Sequence, residues 1–271
     1  MLGKLIKYEF KAKRKLLLIY GLLLVLAVIM AVMMRISLSV NGGLYAETVL
    51  QKTQLFGIVR FFEGLITVAY AFMNAFVFGA VLFGAINRFR VNLLGNQGYL
   101  MHTLPVKTEY HILTKNIVSL VWTILGIIAV LLSYAIIGAV LMDGKTWKEI
   151  IHFLFSDLVW QDVFANEKFW IAFAEIAILG VVSISELYFR IYASMAIGYS
   201  SNKHRVLASV GVYIVLGIAK SMPQSILLPY LVDAMSGWWW FLAFAIIYSA
   251  VWGATYYFVT AWFLNKHLNL Q

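Results

Sequence analysis

The chain has 271 residues, of which 63% are hydrophobic and only 12% charged, and its mean hydropathy is +0.87. Ordinary soluble domains carry roughly a quarter charged residues, so the composition excludes a water-soluble globular protein and points to an all-α integral membrane protein. A net charge of +9 in so apolar a chain suits the anionic inner leaflet of a membrane rather than nucleic acid, and the absence of cysteine excludes disulfides, thiolate nucleophiles and cysteine-held metals.

Residues 1–15 read as an amphipathic interfacial helix. Leu2, Leu5, Ile6, Phe10 and Leu17 form a stripe opposite most of Lys4, Lys7, Lys11, Lys13, Arg14 and Lys15, the pattern of a helix lying on anionic lipid. The apolar run from Leu16 to Met34 exceeds the 7 to 15 residues, roughly, of a signal peptide's apolar region, so it is the first of six expected spans. These are 16–36, 62–87, 112–142, 169–200, 206–222 and 236–264, against a requirement of about 20 residues per crossing. The uninterrupted fifth run, Val206 to Ala219, has only 14 residues and covers about 21 Å of a roughly 30 Å hydrocarbon core. It is therefore expected to continue past Lys220. Beyond it, Pro223 and Pro229 bracket Gln224 to Leu228, the pattern of a re-entrant segment between spans five and six. With both termini inside, thirteen Lys and Arg flank the inner side and seven the outer, as the positive-inside rule requires of a cytoplasmic N- and C-terminus. The longest outer loop shows a 3.6-residue period: Trp147, Ile150, Ile151, Leu154, Phe155 and Leu158 share one face, an interfacial helix joining the Trp-rich outer belt.

Between spans two and three runs NRFRVNLLGNQGYLMHTLPVKTEYHILTKN, far longer than a connection needs. Gly95 and Gly98 permit a turn, Pro105 punctuates a helix, and Thr108 is a candidate N-cap for span three. These features read as a helical knob on the inner face. At these residues the chain resembles the permease subunits of ATP-binding-cassette transporters of the type-2 exporter class. The resemblance covers nearly the whole chain and rests on LGKLIKYEFKA, on GYLMHTLPVKTEYHILTK, on the six spans and on the proline-broken segment after span five. It implies that Gly98, Tyr99, Leu100, Thr103, Leu104 and Pro105 form a coupling helix that docks on a separate ATPase subunit. It further implies a homodimer or a heterodimer with a related permease, placed in a bacterial plasma membrane. ATP and Mg would be bound by the partner ATPase and no cofactor by this chain. The substrates habitual in the class are amphipathic peptides, antimicrobial compounds and lipids.

No nucleotide site of the chain's own is expected. Gly144-Lys145-Thr146 ends like a phosphate-binding loop, but Ala139 stands where that loop needs its first glycine. Within the spans, Glu175 and Glu186 lie eleven residues apart, about three helical turns, and Ser183 and Arg190 extend the same stripe. Glu186 and Arg190 are spaced to pair along one helix. The stripe reads as an intramembrane polar seam, either a static pin or a set of groups that changes partners, since a charge at the bilayer centre costs at least about 3 kcal/mol. Glu186 to Arg190 also matches half of a glutamate-dependent membrane-protease motif, but Ser185 replaces its other glutamate and no histidine lies in a span. The chain is thus expected to be no enzyme. Ala71, Ala75 and Gly79 form a small-residue ridge on span two. The resemblance makes Phe72, Asn74, Phe76 and Tyr213 candidates for a substrate path. An ATP-independent channel or carrier, and an ATPase-linked sensor or immunity subunit, are the competing readings.

Overall fold

A computed structural model describes residues 2–41, 54–95, 98, 107–142, 144–156, 160, 165–201, 204–234 and 238–266. Among them the chain forms eight α-helices, one π-helical turn and no strand. The helices are α1 (Leu2–Ala12), α2 (Leu16–Asn41), α3 (Gln54–Phe89), α4 (Thr108–Leu141), α5 (Gly144–Leu154), α6 (Glu167–Tyr199), α7 (Arg205–Ala234) and α8 (Trp238–Lys266), with the π turn Arg90–Leu94 continuing α3. Six segments are long and apolar enough to cross a membrane: Leu16–Ser37, Gly57–Leu94, Thr108–Leu141, Glu167–Tyr199, Arg205–Leu227 and Trp240–Lys266. Large side chains such as Leu18 and Phe72 stand 71% and 73% exposed on them. In water such surface would be untenable, and in lipid it is the solvent-facing side. The protein is a multi-pass membrane protein.

The chain divides into two compact units. One comprises residues 12–82 and 121–160, and thus α2, most of α3, the distal part of α4, and α5. Polar contacts here fix helix pairs within an apolar surround. The Tyr20 hydroxyl donates to the Trp122 carbonyl at 2.7 Å, and Gly126 lets that tyrosine come close, since a Cβ there would lie 3.4 Å from both its oxygen and Val77. Tyr70 and Ser133 share a buried hydrogen bond of 2.6 Å. Arg35 donates to the carbonyls of Val140 and Leu141, each at 3.1 Å, so a cation neutralises the negative, carbonyl-bearing end of α4. α5 begins with Gly144-Lys145-Thr146 and buries none of its residues, as an interfacial helix should.

The other unit comprises residues 1–11, 83–120 and 161–271, and thus α1, the end of α3 with its π turn, the start of α4, and α6 to α8. Its frame is α6 packed along α8 and α7. The approach of α6 to α7 is set at Gly198, where a Cβ would meet Ser209 Oγ at 2.2 Å and its Cα and backbone N at 2.5 Å. Only a residue without a side chain fits. The connection between these two helices includes His204 at φ 54°, a left-handed conformation that a non-glycine residue adopts at some cost.

The expected re-entrant break after span five is not seen. α7 runs unbroken from Arg205 to Ala234 with Pro223 and Pro229 inside it. Each proline removes one backbone donor, which releases a single carbonyl four residues back. The neighbouring turns stay closed, and Ser221 and Ser225 donate to the carbonyls of Ile218 and Met222 at 3.1 and 2.9 Å. Losing one bond costs less than unwinding backbone in hydrocarbon. Tyr99, Leu100, Thr103, Leu104, Pro105 and Leu158 lie outside the described residues, while Gly98 is buried and donates its N–H to the Gly95 carbonyl at 2.8 Å.

Candidate functional site

Two polar clusters stand out in the unit containing α6 to α8, and the first is built on α1. Leu5, Ile6 and Phe10 are half-buried, Lys4, Lys7 and Lys11 exposed, which is the expected amphipathic division. Glu9 lies on the inward face among the apolar residues and is only 8% exposed. Its carboxylate accepts from Lys115 Nζ at 2.8 Å and from Arg88 Nε at 2.8 Å. Asn92 of the π turn adds a third donor at 3.2 Å, and Lys115 also reaches the Arg88 carbonyl at 3.4 Å. One acid therefore ties α1 to the last turns of α3 and the first turns of α4. Burial pushes the Glu9 carboxyl upward, but the Lys115 ammonium and the Arg88 guanidinium outweigh it and hold the group below its ordinary range.

Both ends of the 95–107 loop are anchored beside this cluster. Ahead of the loop, Phe89 stacks on Tyr192 of α6 with ring centroids 4.3 Å apart and planes 5° from parallel. After the loop, α4 starts at Thr108, whose hydroxyl donates to Asn265 of α8 at 2.8 Å instead of capping its own helix. Tyr192 also bonds Ser119 at 3.2 Å and the Lys115 carbonyl at 3.4 Å. The described residues on either side of 96–106 are thus tied to α1, α6 and α8.

The second cluster lies within the spans. Glu186 is 4% exposed, and its carboxylate is ion-paired with Lys220 of α7, which the sequence places among the outer-flank cations. The pairing expected between Glu186 and Arg190 on one helix is replaced by pairings across helices. Arg190 donates to the Tyr213 hydroxyl at 2.8 Å, and its guanidinium carbon sits 4.6 Å from that ring's centroid. The reason is packing: α7 lies against the Glu186 and Arg190 stripe, and Gly217 leaves room for Arg190 Nη1 at 3.6 Å from a would-be Cβ. From α8, Tyr248 donates to the Lys220 carbonyl and Tyr256 to the Leu216 carbonyl at 3.1 Å. Gly253 faces Glu186, where a Cβ would stand 3.5 Å from its Cβ. Glu186 Oε1, Arg190 Nε and Glu175 Oε2 are buried and take no hydrogen-bond partner among the described residues. Ser183 is half-buried on the same helix.

Of the four substrate-path candidates, Tyr213 thus belongs to the intramembrane cluster. Phe72, Asn74 and Phe76 belong to the other unit, where Phe72 and Phe76 line a shallow apolar groove with Leu26 and Met73 and Asn74 donates to the Tyr70 carbonyl at 2.8 Å. Sequence reasoning missed Glu9 and the role of Lys220. Glu9 carried a signal, since it falls three residues after Ile6 and four after Leu5, on the apolar face. An acid on that face needs a cation from elsewhere in the fold. Among the described residues no group of three or more His, Cys, Asp or Glu is placed to hold a metal ion. Comparison of the chain with protein-family models, with curated proteins and with solved structures finds no match.

Proposed function

We propose that the protein is the permease subunit of an ATP-driven exporter, with its N-terminus, C-terminus and 95–107 loop in the cytoplasm of a bacterial cell. The observation that carries this reading is the Glu9, Arg88 and Lys115 bracket. A loop serving only as a tether needs no buried charge at its root. A loop that receives force does, because charge-assisted hydrogen bonds of this kind resist displacement in a dry setting. In the proposed cycle, closure of the partner ATPases around ATP pushes on the loop, and the bracket carries the push into α1 and the starts of α3 and α4. The contacts from Phe89, Ser119 and Thr108 carry it into α6 and α8. This chain does no covalent chemistry: it orients helices and presents a path, while ATP and Mg act on the partner. An amphipathic peptide, antimicrobial compound or lipid is the proposed cargo, and a second permease copy or related chain completes the path.

The test is to purify the chain with a candidate ATPase subunit from the same cell and to measure complex formation and ATP hydrolysis. Wild type is expected to bind and to stimulate hydrolysis, and a variant with residues 99–105 replaced by a glycine-serine linker to lose both. Failure of the wild type to bind or stimulate overturns the proposal. Glu9→Gln is a positioning variant, expected to retain ATPase binding while losing transport per ATP hydrolysed. The Glu186 and Lys220 ion pair inside the spans favours a second reading, an ion-coupled carrier without an ATPase. Under that reading, transport into vesicles would follow an imposed proton or sodium gradient and ignore ATP.

A further inference from the structure

We propose that α6, α7 and α8 form an intramembrane binding site for an anionic group, a carboxylate or phosphate, centred on the Arg190 guanidinium. The proposal goes beyond the transport reading and holds whether or not an ATPase drives the chain. Its basis is the charge balance of the second cluster. Glu186 is the acid nearest Arg190 in sequence, and Lys220 already neutralises it. Tyr213 holds the guanidinium through its hydroxyl and ring face but brings no negative charge. Arg190, Lys220 and Glu186 therefore carry a net charge of +1 between them, with Glu175 fifteen residues before Arg190 on α6, about 22 Å along the helix, in a setting where an uncompensated charge is strongly disfavoured.

The hydrogen-bonding pattern points to the same ligand. Arg190 Nε is buried with no hydrogen-bond partner among the described residues, so one of the guanidinium's donors is unsatisfied, and paired donation from such a group suits carboxylate and phosphate. The Tyr213 hydroxyl accepts from Arg190 and keeps its own proton to donate to a ligand oxygen. Val210 and Ile214 of α7 flank Tyr213 and are 52% and 55% exposed, which gives an apolar tail a surface beside the charged head. The ligand class is thus an anionic amphiphile. Arg190 lies nine residues from the end of α6 at Tyr199, about 13 Å along the helix, so the group bound there sits below the headgroup layer.

Thermal unfolding of the full chain in maltoside micelles, titrated with dodecyl phosphate, tests the site. Wild type is expected to show a saturable rise in Tm, and dodecyl trimethylammonium to give none. Arg190→Gln should abolish the rise. Tyr213→Phe, which removes one donor to an anion, should weaken binding about tenfold. Glu186→Gln, which leaves Lys220 without its counter-charge, should tighten it. A triple variant Lys4→Gln, Lys7→Gln, Lys11→Gln should behave as wild type. An undiminished rise in Arg190→Gln, or its loss in the triple lysine variant, overturns the proposal. Should Arg190→Gln fail to fold, the other pair decides: unchanged affinity in both Tyr213→Phe and Glu186→Gln overturns it. Nanodiscs separate two sources of the anion. If phosphatidylglycerol in the disc raises Tm and removes the response to dodecyl phosphate, a lipid headgroup occupies the site. If dodecyl phosphate still acts, the occupant is a free amphiphile, and both results support the site.

Discussion

Glu9 shows how one side chain can be legible in kind and illegible in partner. Its place on the apolar face of α1 announces a buried acid, but Arg88 and Lys115 lie 79 and 106 residues away, and no spacing rule reaches that far. The same holds for Glu186: its helical neighbour Arg190 is the obvious mate by spacing, and only the packing of α7 reveals Lys220. Removing one member of a buried pair strands the other charge, so Glu9→Gln should destabilise the protein by about 3 kcal/mol, measured by thermal unfolding in micelles. Part of that loss should return in the double variant Glu9→Gln, Lys115→Met, which removes the stranded ammonium. The pH dependence follows from the direction of the shift. Because the folded carboxyl is held below its ordinary value of 4.5, its contribution is complete above that value. It is lost as pH falls through the lower folded value. Acid unfolding profiles of wild type and Glu9→Gln should therefore stay fully apart above pH 4.5 and converge only once the pH has fallen through the lower folded value.

Helices α6 and α7 owe their geometry to a close approach and to two tolerated prolines. Gly198→Ala drives a Cβ into Ser209 backbone atoms at 2.5 Å, so it should cost about 1–3 kcal/mol by overpacking. Ser209→Gly should not rescue it, since the clash with backbone remains. Gly211→Ala, with nothing within 4 Å among the described residues, is the clash-free control in the same unfolding assay. The number of long apolar helices was readable from hydropathy because lipid demands unbroken apolar length. The prolines misled because a missing donor marks a helix end in water but only a local defect where no solvent can take over the backbone. Since the chain lacks cysteine, single cysteines placed along 220–234 report access directly. A continuous α7 predicts that labelling by a membrane-impermeant thiol reagent falls steadily from 234 towards 220. A re-entrant segment would instead give a maximum at each end.

For the whole molecule, an even number of crossings brings both termini to the same side of the membrane. A fluorescent protein fused after Gln271 should fold and fluoresce if that side is the cytoplasm, and a periplasm-dependent phosphatase at the same point should stay inactive. The expected orientation rests on the uneven distribution of Lys and Arg, and these fusions test it. The contacts around Glu9, Tyr192 and Thr108 were not legible, because they join residues 73 to 157 positions apart. That separation also has a consequence in time. Glu9 cannot be held between both of its cations until Lys115 has been made 106 residues later, a delay of about 5 to 20 seconds at synthesis rates of about 5 to 20 residues per second. α1 thus docks fully only after the helix ends that hold it exist, and its seating marks a chain whose third span has begun.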